Sequence, residues 1–206
     1  MPTVDVIGYE PSYRLSFSTG GLFISDSVKL AELYLELRAW PAVRKVASDQ
    51  GLTQFSASSS ATRTIRELVT RLSTLDDDEL QLLCDGGSSE QAALLWLALC
   101  RTYPLIREFA TEVLAERLAS FRTALGHEHF DAFIANKAQW NDAIADLSET
   151  TLKKLRQILF RYMREAGLLL ENGTIAPYLL PGTVRVILEQ KDAAELSYFP
   201  GVRGAA

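Results

Sequence analysis

Residues Ser148–Pro177, with the sequence SETTLKKLRQILFRYMREAGLLLENGTIAP, decide the fold predicted for the C-terminal part of the chain. Ser148 suits a helix N-cap, and Glu149 follows where the helix dipole favours negative charge. One buried helical face is indicated by the spacing of Leu152, Leu155, Ile158, Leu159, Tyr162, Met163 and Ala166. Gly167 should end the helix, and Asn172–Gly173 signals a hairpin turn. A winged helix-turn-helix domain has this pattern, and so do many ordinary helices.

The opposite face of this predicted helix is basic. Its candidate DNA-contacting residues are Lys153, Lys154, Arg156, Gln157, Arg161 and Arg164. From Thr151 to Arg164 there are five basic residues and no acidic one. Such a stripe is either a solvated helix face or a surface that lies against a DNA groove and contacts its phosphates.

A second candidate recognition helix opens at Ser58–Ser60. Its apolar stripe comprises Ala61, Ile65, Leu68, Val69 and Leu72. Its other side carries the candidate DNA-contacting residues Ser59, Arg63, Arg66 and Thr70. A helix predicted from Ala42 to about Gln50 precedes it. The connector between them, Leu52–Ala57, is longer than the three- or four-residue turn of a simple helix-turn-helix.

The charge of the chain is concentrated in its middle. The 206 residues carry a formal net charge of −5, which argues against a protein that binds any polyanion over its whole surface. Residues 76–120 contain three Lys and Arg against nine Asp and Glu, whereas the two flanking parts are nearly neutral. An acidic body would therefore restrict DNA contact to the two basic helices.

Other kinds of site find little support in the sequence. His127 and His129 are two residues apart, which does not match the spacing of a helical zinc site or a catalytic motif. The run Asp76–Glu79 is interpreted as an acidic first turn of a helix. Cys84 and Cys100 have no CxxC partner and do not form a disulfide framework. We therefore expect no catalytic residue, no metal and no cofactor.

The location of the protein is also predicted from what the sequence lacks. Its N-terminus does not have the basic-then-apolar pattern of a signal peptide. The longest apolar run, around Ala92–Cys100, is too short to span a bilayer, which requires roughly 20 residues. These features favour a cytoplasmic protein that does not enter a membrane.

The predicted fold is mainly α, with roughly nine helices and at most a short β-hairpin. Two helix-turn-helix units, the C-terminal one with a hairpin as in a winged domain, occupy residues 1–75 and 126–206, and a central acidic helical bundle at residues 76–125 joins them. Ser88 with Gln91 predicts a capping box for a central helix. Because Leu94–Leu99 is mostly apolar all round, this helix should be the buried centre of the protein.

An ordered series of segments resembles BrxA, a family of small core components of bacteriophage exclusion (BREX) defence systems. The segments are YRLSFSTGG from Tyr13, KLAELYLEL from Lys29, LLWLALCRTY from Leu94, IREFATEVL from Ile106, FDAFIANKA from Phe130 and KLRQILFRYMREAGLL from Lys154. The similarity extends over nearly the whole chain in order. None of the segments is a catalytic signature.

The resemblance implies a non-enzymatic, mostly helical protein with two helix-turn-helix units that binds double-stranded DNA. It would act beside other BREX components such as the methyltransferase. The basic helix-turn-helix residues of the family correspond here to Arg63, Arg66 and the Lys153–Arg164 face. We expect a monomer that binds DNA mainly through phosphate contacts. The alternative is a protein–protein adaptor in the defence complex without a direct DNA role, and an enzyme is the weakest hypothesis.

Overall fold

A computed structural model describes Tyr13, Leu15, Phe17, residues 20–51 and residues 58–202; the side chains of Ser58 and Ser59 lie outside this description. The mainly α fold predicted from the sequence is confirmed. The first six helices are α1 (Ile24–Leu37), α2 (Trp40–Asp49), α3 (Ser58–Leu72), α4 (Asp77–Asp85), α5 (Ser88–Thr102) and α6 (Pro104–Glu108). The later elements are a π-helical segment (Phe109–Leu114), α7 (Ala115–Ala119), α8 (His127–Ala138), α9 (Asp142–Ala145), α10 (Glu149–Glu165), α11 (Gly182–Lys191) and a 3-10 segment (Ala193–Tyr198).

Helix α5 is the centre of the core, as its sequence predicts. The nine consecutive residues Ala92–Cys100 are all buried. Helices α1, α3, α4, α6, α10 and α11 pack against it. The Trp96 ring is fully buried, and its indole N–H donates to the backbone carbonyl of Tyr198 at 2.9 Å. A helix that is apolar on every side has no polar face to expose to solvent, so other helices must surround it.

The start of α5 differs from the sequence-based prediction, whereas α4 begins with the acidic first turn that was predicted for it. Gly87, without a side chain, is the N-cap of α5, so the capping box predicted for Ser88 and Gln91 is wrong. The Gln91 side-chain amide instead donates to the Leu83 carbonyl at 3.2 Å. The capping box lies one helix earlier, at the start of α4. There the Asp76 carboxylate accepts from backbone N–H groups, and the Glu79 carboxylate accepts from the Asp76 N–H.

The hairpin predicted at Asn172–Gly173 is present as a short turn with isolated β-bridges. The Leu170 N–H donates to the Thr174 carbonyl at 2.9 Å, and Gly173 has the positive φ that such a turn requires. The segment before α8 adds a third short piece, because Ala124 forms an antiparallel bridge with Thr174.

Arg101 joins three parts of the chain through ion pairs. Its guanidinium contacts the Glu79 carboxylate at 2.7 Å and the Glu195 carboxylate at 2.6 Å. A further N–H of Arg101 donates to the Thr74 carbonyl at 2.9 Å. Glu79 is fully buried, so its charge is stable in the interior only because Arg101 and the Asp76 N–H bind it.

A second buried group links α3 to the C-terminal half. Arg71 donates to the Glu67 carboxylate at 3.0 Å, to the Gly21 carbonyl at 3.0 Å and to the Tyr162 hydroxyl at 2.6 Å. The Tyr103 hydroxyl donates to the same Glu67 carboxylate. Arg71 and Tyr162 therefore connect α3 directly with α10.

Replacement of Arg101 by Ala should lower the free energy of unfolding by about 3 kcal/mol, because it leaves the buried Glu79 carboxylate without a counter-charge. Urea denaturation of the two proteins measures this difference. The matched control is Arg38→Ala, which breaks an exposed ion pair with Asp77 and should cost under about 1 kcal/mol. Equal losses of unfolding free energy in the two variants would contradict the conclusion that Arg101 stabilises the fold by neutralising the buried Glu79 carboxylate.

Candidate nucleic-acid interface

Helix α3 presents an exposed basic face in its first three turns. Arg63 and Arg66 are exposed and form no ion pair with any described residue. The Thr70 hydroxyl lies beside this face. It donates its proton to the Arg66 carbonyl of the same helix at 2.9 Å, so that proton is not available to a ligand. Ser59 belongs to the helix, but its side chain is outside the described residues. Burial of Ile65, Leu68, Val69 and Leu72 fixes which side of α3 faces solvent.

Helix α2 packs against α3 and adds two cations that the sequence analysis did not select. Arg44 and Lys45 are exposed and have no ion-pair partner in the described part of the chain. Their exposure follows from the burial of Val43 and Ala47, which are four residues apart on the inner face. The sequence contains this spacing, but two basic side chains on a ten-residue helix are also typical of a helix face that only contacts solvent. The spacing alone therefore did not identify Arg44 and Lys45 as candidates.

The basic face of α10 is largely neutralised by nearby carboxylates. Lys153 pairs with Glu149 at 2.6 Å, one turn earlier in the same helix. Arg161 pairs in the same way with Glu165, one turn later, at 2.7 Å. The absence of acidic residues from Thr151 to Arg164 therefore did not predict an unpaired basic face, because the acids lie just outside that interval.

The remaining pairs of α10 come from other elements. Arg156 is half-buried and binds both oxygens of Asp131, from α8, at 2.7 and 2.6 Å. Arg164 lies 3.6 Å from the Glu171 carboxylate at the hairpin. Of the candidate residues on this face, Lys154 and Gln157 are exposed and form no ion pair or side-chain hydrogen bond with a described residue.

The two candidate faces belong to one packed unit. Besides the bond between Arg71 and Tyr162, the Glu165 carboxylate of α10 accepts from the Leu22 backbone N–H at 2.6 Å. Burial raises the pKa of Tyr162 to about 12, so its hydroxyl is neutral at physiological pH and accepts a hydrogen bond from Arg71. The backbone at Gly21–Leu22 is thus held between α3 and α10 by one residue from each helix.

The groups considered for catalysis or metal binding have structural contacts. Burial raises the pKa of the Cys84 thiol to about 11 and also raises that of Cys100, so both thiols are protonated at neutral pH. His127 packs edge-on against the Phe160 ring, and the His129 Nδ1 accepts from the Gly126 N–H at 2.9 Å. Within the described ranges, His, Cys, Asp and Glu side chains do not group in threes around a possible metal position.

An apolar groove of about 450 Å³ lies between α8, α9 and α10. Its floor includes Phe130, Ile134, Ile144 and Leu152, and the ion pair between Asp131 and Arg156 lies at its rim. Trp140, two residues beyond the end of α8, is 75% exposed.

No helix among the described residues is both long and apolar enough to cross a membrane.

Comparison with known proteins identifies relatives over most of the chain. The BREX protein BrxA of Escherichia coli O9:H4 (strain HS) is 26% identical over 178 residues, which cover 84% of each chain. The BREX protein BrxA of Bacillus cereus (strain H3081.97) is 28% identical over 127 residues, 62% of this chain and 64% of that protein.

A solved structure shares the fold. The crystal structure of an uncharacterized protein from Magnetospirillum magneticum matches 92% of this chain and 98% of its own with a TM-score of 0.75. At 19% sequence identity this likeness shows the fold alone. The BrxA family model matches residues 11–192, which include every described helix from α1 to α11. The chain therefore belongs to the BrxA family.

Proposed function

We propose that the protein is a non-enzymatic, double-stranded-DNA-binding component of a BREX phage-defence system. It would act in the cytoplasm with other BREX components such as the methyltransferase. The observation that carries the DNA-binding proposal is the surface of α2 and α3, where Arg44, Lys45, Arg63 and Arg66 are exposed and have no carboxylate partner among the described residues. Phosphate groups are ligands that suit exposed arginine and lysine side chains without a carboxylate partner.

The arrangement of the helices supports the proposal at both ends of the chain. In the N-terminal part, α3 follows α2 and packs on it, as a recognition helix follows the first helix of a helix-turn-helix. In the C-terminal part, α8 and the one-turn α9 precede α10, and the hairpin at Asn172–Gly173 comes directly after it. That order, with the bridge between Ala124 and Thr174 beside the hairpin, is the order of a winged helix-turn-helix.

The two surfaces would contribute unequally to binding. The cations of α2 and α3 can approach phosphates without losing an existing partner. Lys153, Arg156 and Arg161 of α10 must first exchange a carboxylate for a phosphate, which reduces the net gain. We therefore propose that α2 and α3 provide most of the affinity and that Lys154 of α10 provides a smaller part.

Binding through these surfaces would have little sequence preference. The exposed faces of α2, α3 and α10 contain arginine and lysine, and Gln157 is the one exposed amide on the face of α10. Asn and Gln side chains read adenine edges in the major groove, whereas arginine and lysine readily contact phosphate in any sequence. The net charge of −5 keeps DNA away from the rest of the surface.

The second candidate function is that of an adaptor within the defence complex. The apolar groove beside α10, with the exposed Trp140 nearby, favours it, because exposed aromatic residues and apolar grooves recur at protein interfaces. Affinity purification from cells that carry the complete defence operon tests it. A defence protein that stays bound after nuclease treatment, and is lost with Trp140→Ala, would support this function over DNA binding.

Replacement of both Arg63 and Arg66 by Ala should weaken binding to a short duplex and reduce the log–log salt slope by about 1.8, since each phosphate contact contributes about 0.9. Fluorescence anisotropy at several salt concentrations measures the slope. The control is Arg38→Ala with Arg185→Ala, which removes the same charge from two paired arginines elsewhere. An unchanged slope in the Arg63 and Arg66 variant would exclude α3 from the interface.

Asp131→Asn should raise the affinity for DNA several-fold at low salt, because it releases Arg156 from its carboxylate partner on the face of α10. The matched control is Asp77→Asn, which makes the same charge change beside Arg38 and should have a smaller effect. The same anisotropy titration compares the two variants. Equal gains would mean that only net charge matters and that α10 does not face DNA.

A further inference from the structure

The turn that ends α7 is a Schellman motif with an unusual residue in its left-handed position. The Arg122 N–H donates to the Arg117 carbonyl at 2.8 Å, and the Phe121 N–H donates to the Leu118 carbonyl at 3.0 Å. Phe121 has a φ of 57° at the position where glycine is usual. A bulky residue in this region strains the backbone, and such strain is concentrated at functional sites.

This motif brings two arginines together. The residues joined by its longer hydrogen bond commonly make an apolar contact, but here they are Arg117 and Arg122. Neither arginine forms an ion pair with a described residue. The Arg117 Nε donates to the Ala124 carbonyl at 2.9 Å, and its two terminal nitrogens form no hydrogen bond within the described part of the chain. Neighbouring guanidinium groups repel each other unless an anion lies between them.

Both arginines line a cavity of about 330 Å³ between α7 and α8. Helix α8 contributes His129, Phe133 and Asn136, which lie on one helical face because they are spaced at i, i+4 and i+7. The His129 Nδ1 accepts from the Gly126 N–H at 2.9 Å, so the neutral ring carries its proton on Nε2 and keeps a donor for a ligand. The cavity therefore has donors from two different elements of the fold.

Two carboxylates line the same cavity. Glu112 belongs to the π-helical segment, a rare conformation that often occurs at functional sites, and Glu116 lies one turn later in α7. Lys137 neutralises Glu112, since its Nζ lies 2.7 Å from that carboxylate. Glu116 is exposed and forms no ion pair with a described residue. A ligand of this cavity must therefore suit two guanidinium groups and one unpaired carboxylate.

A phosphate monoester with hydroxyl groups meets both requirements. Its phosphate carries nearly two negative charges and three strong acceptor oxygens, and arginine forks bind such a group with good geometry. A carboxylate repels phosphate but accepts hydrogen bonds from sugar hydroxyls, as at dinucleotide sites. The volume is near the lower end of the range of about 300–1,000 Å³ for small-molecule sites, which suits a ligand of sugar-phosphate size. Duplex DNA fits poorly, because its phosphates would approach Glu112 and Glu116.

We propose that the cavity between α7 and α8 binds a small, hydroxylated phosphate monoester. Arg117 and Arg122 bind the phosphate, and Glu116 accepts hydrogen bonds from the hydroxyl groups. The residues of this site differ from the cations of α2 and α3, so the inference does not depend on the binding of DNA.

Two-dimensional ¹H–¹⁵N NMR of the full chain, titrated with ribose 5-phosphate, tests the proposal. The backbone amides from Arg117 to Arg122 and that of His129 should shift, with a dissociation constant between about 1 μM and 1 mM, the usual range for metabolites. Inorganic phosphate should shift the same amides at higher concentration, and ribose, which lacks the phosphate, should not bind. The absence of a saturable shift with ribose 5-phosphate, or shifts confined to α2 and α3, overturns the proposal.

Arg122→Gln should raise the dissociation constant for ribose 5-phosphate at least about tenfold, because it removes a charge-assisted contact. Arg122 is exposed, so this variant should keep the fold. The matched control, Arg38→Gln, removes the same charge from an exposed pair with Asp77 and should leave binding unchanged. The two variants should bind a DNA duplex equally well. A selective loss of duplex affinity in Arg122→Gln would assign this arginine to DNA and overturn the proposal.

Glu116→Ala distinguishes a sugar-phosphate site from a site for any small anion. Inorganic phosphate should bind more tightly, since a like charge is removed, whereas ribose 5-phosphate should bind less tightly, since an acceptor for its hydroxyl groups is lost. The ratio of the two dissociation constants should therefore change by at least about fivefold. An equal gain for both probes would mean that Glu116 binds no hydroxyl group and would overturn the proposed class of ligand.

Discussion

The buried guanidinium of Arg71 is the interaction on which the arrangement of the two basic helices depends. Its side chain is 3% exposed, and removal of a charge from water is costly unless other groups replace its hydration. Glu67 supplies the counter-charge, and the Gly21 carbonyl and the Tyr162 hydroxyl accept two further hydrogen bonds. The arginine also lies over the Tyr162 ring, at 5.0 Å from its centroid. These contacts therefore fix the positions of α3, α10 and the backbone at Gly21 relative to one another.

Electrostatic pairing within the chain decides which basic residues are available to a ligand. In α10 the carboxylates of Glu149, Glu165 and Asp131 bind three of the five cations. In α2 and α3 the buried Glu67 is used by Arg71, and the exposed cations have no such partner within the described residues. Helix α10 has the stronger basic pattern in the sequence, but fewer of its cations are available to a ligand than those of α2 and α3.

The sequence predicted the elements whose apolar spacing is regular and missed features that depend on partners distant in the chain. The α10 stripe from Leu155 to Ala166 and the buried run Ala92–Cys100 were predicted correctly, because burial repeats with the helical period. Phe160 is buried in the core although it lies outside that stripe, and the His127 ring contacts it edge-on. The pair of Arg156 with Asp131, 25 residues apart, has no local signal. Three units at residues 1–75, 76–125 and 126–206 stay a prediction.

The rigid connection between α3 and α10 has a consequence for the proposed binding to DNA. Neither surface has many unpaired cations, so each alone would bind a duplex weakly at physiological salt. When two weak sites are held at a fixed separation, binding of the first raises the effective concentration of the second, and the combined affinity exceeds that of either. In the proposed DNA complex, the packing of Arg71 against Tyr162 would hold the two surfaces together within one chain, as twofold symmetry holds the two recognition helices of a helix-turn-helix dimer. The affinity of the proposed interface would therefore depend both on the unpaired surface cations and on the buried contacts that hold the two surfaces together.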